Sequence, residues 1–246
     1  MDRLIWTAVT GMNAAMTRQR VTASNMANAQ TTGFRAEVLQ VTPLTLKGSA
    51  VEARAMTDAA VRGAIMTPGT MIATGRPLDV ALQDQALLTV QAPDGSEGYT
   101  RRGDLSISPT GLLVNGEGFA VMGEDGPISL PPSSQATIAE DGAVLVRNPA
   151  EPEAPPVVVG RLKLASPAGT MIVKGLDGLF RVEGGGILPA DAEARLAPAT
   201  LEQSNVRPSE VLVEMVEAQR SYDLRTKLIA TAKELDEGGA SLMRLG

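Results

Sequence analysis

The 246-residue chain contains no cysteine and no histidine. Those absences exclude disulfide frameworks, thiolate zinc sites and both Ser-His and Cys-His activation of a nucleophile, and with them most familiar hydrolase mechanisms. Aromatics are almost as scarce. Trp6, Phe34, Tyr99, Phe119, Phe180 and Tyr222 are the full set, too few for platforms that stack single-stranded nucleic acid or sugars, so aliphatic and Met side chains must fill the core. No window approaches the roughly 18 apolar residues of a membrane span, and the opening MDRLIWTAVTGMNAAMTRQR lacks the continuous apolar stretch of a secretory signal. Positive charge is not in excess either. With 22 Lys and Arg against 28 Asp and Glu, the net charge of -6 disfavours nucleic acid and anionic lipid and leaves protein partners open.

What is present is a sharp partition. All 16 Pro and 21 of the 25 Gly fall between Gly33 and Pro208, while residues 12–32 and 209–237 contain neither. Two long helices flanking a middle of loops and strands follow from that division. In the first helix Ile5, Val9, Met12, Met16, Ala23 and Met26 form a heptad stripe, with Gln19 its one polar member. In the second, Ser209 is placed as the cap, and Val211, Met215, Ala218, Tyr222, Ile229 and Ala232 recur on one face. Gln219 lies beside that face.

The middle reads as β structure. Runs such as Leu78-Asp79-Val80-Ala81-Leu82 and Leu105-Ser106-Ile107-Ser108 alternate or cluster apolar residues between turn signals. Asp94-Gly95, Asn115-Gly116, Asp125-Gly126, Asp141-Gly142 and Asp177-Gly178 suit positive φ in tight hairpins. A mostly antiparallel sheet is expected from about Arg76 to Arg181, with the turn chemistry for independent folding. Asn148 to Pro156 reads as a Pro-rich acidic link, and between Ala36 and Gly75 an extended or partly helical connector is expected. The fold class is therefore α+β, with the terminal helices paired as a coiled-coil stalk on a central mostly antiparallel β domain. The divisions are 1–35, 36–75, 76–200 and 201–246. Periodicity alone leaves open whether the helices form a two-helix stalk or join a bundle of several subunits.

No pattern supports catalysis or a cofactor. Asp94-Gly95-Ser96-Glu97-Gly98 misses the first Gly of a nucleophile elbow and has no His. Gly184-Gly185-Gly186 lacks the Lys and the strand-to-helix setting of a phosphate loop. Glu151 and Glu153 lack the spacing of a calcium loop. No catalytic, cofactor-binding or metal residue is assigned.

Ser24-Asn25-Met26-Ala27-Asn28-Ala29-Gln30-Thr31-Thr32-Gly33-Phe34-Arg35 resembles the N-terminal signature of the flagellar axial proteins, the rod and hook family. Leu201-Glu202-Gln203-Ser204-Asn205-Val206 and Glu214-Met215-Val216-Glu217-Ala218-Gln219-Arg220-Ser221-Tyr222 resemble that family's C-terminal motif. The opening Met1 to Trp6, Gly75 to Leu82, Gly95 to Arg101 and Gly160 to Leu164 resemble the proximal-rod branch, whereas the form of the Asn205-Val206 motif is closer to the distal one. The resemblance implies a structural subunit of the basal-body rod that spans the periplasm and transmits torque. It also implies uncleaved export through the flagellar type III apparatus, with other rod proteins and copies of itself as partners. An extracellular adhesin-like stalk or a lyase or hydrolase on a β domain are the readings outside the family. The expected assembly interface comprises Ile5, Val9, Met12, Met16, Asn25, Asn28, Gly33, Phe34, Ser204, Asn205, Val206, Met215, Gln219, Tyr222 and Ile229. Asn25 and Asn28 are candidates for side-chain bonds to free carbonyls or an adjacent helix, Gly33 for a left-handed stop, and Phe34 for a local plug. Asn205 reads equally as a turn before the helix or an intersubunit contact.

Overall fold

The computed structural model describes residues 2–47, 52–131, 135–148 and 154–244. The chain forms two compact units, one of Met1–Ala27, Glu37–Arg62 and Arg207–Gly246, the other of Asn28–Ala36 and Gly63–Val206. Each draws on both ends of the sequence. The fold is α+β, with two terminal helices packed together and a central antiparallel β region.

In the first unit α1 spans Asp2–Ala27 and α2 spans Pro208–Arg244. At 37 residues, α2 is about 55 Å long. It begins one residue before the expected Ser209 cap. Pro208 occupies the first helical position, where its missing N–H is no loss, and the Arg207 carbonyl accepts from both Glu210 N and Val211 N. Along α2 Val211 and Ala218 are buried and Met215, Tyr222, Arg225, Ile229 and Ala232 are half-buried. This is the predicted stripe, completed by an arginine that the apolar pattern omitted. Burial on α1 follows a neighbouring line, Gly11, Ala15, Thr22 and Asn25 with Val21. Small side chains allow the close approach of two helices that long Met side chains would prevent. A Cβ at residue 11 would stand 2.0 Å from the Arg225 guanidinium. Met16 is left 50% exposed, and Val9, Met12 and Met26 are half-buried.

Residues 36–75 are more regular than the expected connector. Glu37–Lys47 and Glu52–Ala64 pair as a two-stranded sheet, and Met71–Ala73 is a further strand. Pro43 and the Gly and Ala content of the second strand mask a strand signal that is weak residue by residue.

In the second unit, a nine-stranded sheet is built on Leu87–Gln91, which pairs antiparallel with Glu97–Thr100, Ala120–Gly123 and Leu164–Ala165. A three-stranded sheet of Gln135–Ile138, Ala143–Arg147 and Val157–Arg161 accompanies it. Successive strand residues point to opposite faces. Leu88 and Val90 therefore enter one apolar cluster with Val80, Leu82, Leu113, Val121, Val144 and Leu196, while Leu87 enters another with Tyr99, Ala165, Phe180 and Leu188. Tyr99 hydroxyl satisfies its buried end by accepting from Leu188 N at 2.7 Å. The sheet structure runs past the expected end at Arg181. Leu196–Pro198 pairs with Val80–Leu82, and Thr200–Glu202 pairs with Met71–Ala73.

The turns use one left-handed residue each. Gly95, Gly126, Gly142 and Gly178 take positive φ and the Asp before each does not. In the Asn115 turn, Gly118 rather than Gly116 carries it. Asp94, Asp141 and Asp177 instead accept the backbone N–H two residues on. These are Asx turns followed by a left-handed Gly, not the two-residue turns with both residues at positive φ. Within the Asn148 to Pro156 link, residues 149–153 lie outside the described residues.

A candidate assembly element: two terminal motifs in one clasp

Both family-like motifs enter the second unit and meet around Glu202, which is 1% exposed. Its Oε2 accepts from Arg101 Nε at 2.8 Å and Nη2 at 2.6 Å, two charged donors converging on one oxygen. Its Oε1 accepts from Gly69 N at 2.9 Å and lies 2.7 Å from Arg35 Nη2. Both arginines are as buried as the carboxylate. Arg101 uses its remaining donors on the carbonyls of Leu82, Asp84 and Ala86. Arg35 Nη1 donates to Thr67 O, and its Nε has no acceptor among the described residues. Burial pushes the Arg35 guanidinium down to about 10. Arg101 lowers it further and Glu202 opposes both. Three buried charges thus sum to one positive, held by one carboxylate.

Backbone and amide bonds close the same region. Gly33 N donates to Glu202 O at 2.7 Å and Asn205 N to Phe34 O at 3.3 Å. Asn205 acts as a staple: Oδ1 accepts from Ala36 N at 2.7 Å, and Nδ2 donates to Ile65 O at 2.7 Å and Thr67 O at 2.9 Å. Gly33 adopts φ +67°, and a Cβ there would stand 2.4 Å from Arg101 O. Both the turn and the close approach require glycine. Phe34 lies under Lys174, whose Nζ is 3.3 Å from the ring centroid and donates to Arg35 O at 3.0 Å. Val206 is buried, and its N–H reaches Ser204 Oγ at 3.2 Å. Asn28 turns the chain after α1, its carbonyl and Oδ1 accepting from Thr31 N and Oγ1.

Asn25 belongs to the helical unit. Its amide exchanges two bonds with the Glu37 backbone, Nδ2 to O at 3.1 Å and N to Oδ1 at 2.8 Å, so a side chain stands where a strand neighbour would. Val9, Met12, Met215, Tyr222 and Ile229 are half-buried in that unit, Met16 and Gln219 exposed. Ile5 lies in α1, with its side chain outside the described residues. The expected residues therefore divide into a helix-pair set and a clasp set. Sequence reasoning gave no role to Arg35, Arg101 and Glu202. Each lies inside a motif, and the signal was that Arg35 and Glu202 are the sole charges of residues 24–35 and 201–206.

Among the described residues no group of carboxylates could hold a metal, and no helix is long and apolar enough to cross a membrane. The clasp offers no nucleophile or open acid-base pair. What it can do is tie segments 28–36 and 200–205 together within one β unit.

Residues 5–35 match the family model described as flagella basal body rod protein, residues 81–146 the flagellar hook protein FlgE/F/G D1 domain, and residues 197–242 the flagellar basal body rod FlgEFG protein C-terminal region. The chain is 42% identical to flagellar basal-body rod protein FlgF of Salmonella typhimurium, over 98% of each chain. It is 40% identical to FlgF of Escherichia coli K12, over 95% of each. Flagellar basal-body rod protein FlgG of Borreliella burgdorferi is 30% identical over 96% of each.

Proposed function

The chain belongs to the flagellar basal-body rod protein family, and on that premise we propose that it is a structural subunit of the proximal rod of the basal body. The observation that carries this is the 42% identity with a FlgF across 98% of both chains, which takes in both terminal motifs and the β unit between them. Higher identity with these two FlgF proteins than with the FlgG of Borreliella burgdorferi favours the proximal position over the distal one.

The subunit assembles through its terminal helices with copies of itself and with other rod proteins, and so transmits torque across the periplasm. It reaches that place uncleaved through the type III export apparatus, catalyses no reaction, and engages neither nucleic acid nor membrane directly. In support, α2 leaves Leu212, Val216, Leu224 and Leu228 exposed on the side away from its buried stripe. Apolar residues left in water on a long helix are best covered by further helices. Met12, Met16, Met215, Gln219, Tyr222 and Ile229 belong to the surface that assembly uses.

The absence of cysteine allows a direct test. Leu176, 99% exposed at a hairpin tip, is replaced by Cys and labelled with gold in a strain whose swimming depends on this variant as its one copy of the chain. Gold on the rod of purified basal bodies is expected. Unlabelled basal bodies from cells that swim would refute the assignment.

A further inference from the structure

Arg35, Arg101 and Glu202 stand in the chain in an order that matters for how the clasp closes. The two cations come first and their one carboxylate comes last, 101 positions beyond Arg101. Among the described residues, Glu202 is the only carboxylate within ion-pair distance of either guanidinium. Bringing two desolvated cations together without it would leave both uncompensated in a region of low dielectric. The rest of the clasp has the same dependence. Ala36 N finds its acceptor in Asn205, 169 positions away, and Gly33 N finds its acceptor in the Glu202 backbone.

We infer that Glu202 is an electrostatic latch that makes docking of the N-terminal segment 28–36 on the β unit conditional on arrival of the strand Thr200–Glu202. Arg101 is already fixed by three carbonyls of the β unit before Glu202 arrives. The site that Arg35 must enter is therefore positive, and it repels the N-terminal segment until the carboxylate neutralises it. A chain lacking its last fifty residues keeps the strands around Leu87–Gln91 but leaves its N-terminal motif undocked. Closure is a report that both ends are present. The inference concerns the free chain and does not depend on which rod segment the protein occupies.

The test is amide hydrogen exchange on the full-length protein by NMR. Reporters of the clasp are Gly33, Ala36 and Asn205; reporters of the body are Thr89, bonded to Lys163 O, and Ile128, bonded to Val121 O. Glu202→Gln keeps size and backbone pairing but removes the charge. Clasp amides should exchange at least about a hundredfold faster, with Thr89 and Ile128 changed by less than about threefold. Adding Arg35→Met removes one of the two like charges with a side chain of similar volume. The double variant should recover at least about tenfold of the lost protection.

Unchanged clasp exchange in Glu202→Gln would overturn the latch, since the backbone bonds alone would then suffice. No recovery in the double variant would overturn it too, because repulsion between guanidiniums would not be the cause of opening. Equal loss at Thr89 and Ile128 would make Glu202 an ordinary core residue and likewise sink the proposal. Should Glu202→Gln fail to accumulate, pulsed exchange during refolding of the unaltered chain decides. Gly33 and Asn205 should gain protection at one rate, and earlier protection of Gly33 would refute the order of events.

Discussion

Replacing Asn205 by Ala separates two roles for a residue whose sequence position suits either an intersubunit contact or an internal one. In the structure its amide makes three hydrogen bonds, one with Ala36 N and two with the carbonyls of Ile65 and Thr67. A neutral hydrogen bond contributes about 1 kcal/mol net, which gives about 3 kcal/mol for the set. The two carbonyls lie near solvent and water can replace the lost donors, whereas Ala36 N is in a buried residue and is left unpaired. A loss of about 2 kcal/mol is therefore expected. For a chain of this length each kcal/mol moves the melting temperature by about 2–4 °C, so Asn205→Ala should melt about 4–8 °C lower. The assay is thermal denaturation of the dilute monomer, followed by far-ultraviolet circular dichroism. Asn205→Asp retains the acceptor for Ala36 N but turns a carboxylate towards two carbonyls, and it should melt no higher than the Ala variant. A melting temperature within 1 °C of the parent for both variants would refute the internal role.

Gly33→Ala meets both a positive φ and a backbone oxygen that cannot move aside; a loss of about 2–3 kcal/mol is expected, against about 1 kcal/mol for Gly169→Ala, which shares the positive φ but has open space, read by urea denaturation. Met215→Asp places a charge in the half-buried α2 stripe and should abolish swimming while the β unit keeps its parent urea midpoint and the protein its cellular level; normal swimming would contradict the role given to the helices. The Arg181 guanidinium holds the Asp177 carboxyl below its ordinary value of 3.8, with Leu179 N–H adding to the effect. A depressed carboxylate pKa stabilises the fold above the ordinary value and ceases to do so as pH falls through the lower folded value, so Asp177→Asn should narrow the gap in stability between pH 5 and pH 2.5. Because both partners are about 30% exposed, the change should stay under about 1 kcal/mol in acid titration followed by circular dichroism.

Much of the fold is legible from local chemistry. Pro and Gly content marks the start of α2 to within a residue, whereas α1 ends at Ala27, six residues before Gly33, and Gly11 lies inside it; the α2 stripe from Val211 to Ala232 is the buried line observed. The α1 face was harder to read for a physical reason. Apolarity ranks Met12 and Met16 above Gly11 and Ala15, but a tight helix pair selects for small size, and Gly11 beside Arg225 scores poorly on any hydrophobic scale. The strands Thr200–Glu202 and Leu196–Pro198 were invisible because each is three residues long and contains Pro198 or Glu202. Their partners are more than 110 positions away, and no local period encodes such a pairing.

The clasp triad shows why motif residues can be recognised without their purpose being understood. Read alone, Arg35, Arg101 and Glu202 are surface charges, which is what most charged residues are. Only the three-dimensional pairing turns them into a buried core. It also alters the boundary of the folding unit. A fragment limited to residues 76–181 has the Asx-Gly turns for autonomous hairpins, yet it leaves Arg101 buried without its counter-charge and Val80–Leu82 without its partner strand. The β unit is discontinuous, Asn28–Ala36 with Gly63–Val206, and its ionic core joins the two pieces through Arg35, Arg101 and Glu202. The division of labour is then not helices against β domain. The terminal motifs serve the β unit's own integrity first, through the pairs of Glu202 with Arg35 and Arg101 and the Asn205 staple.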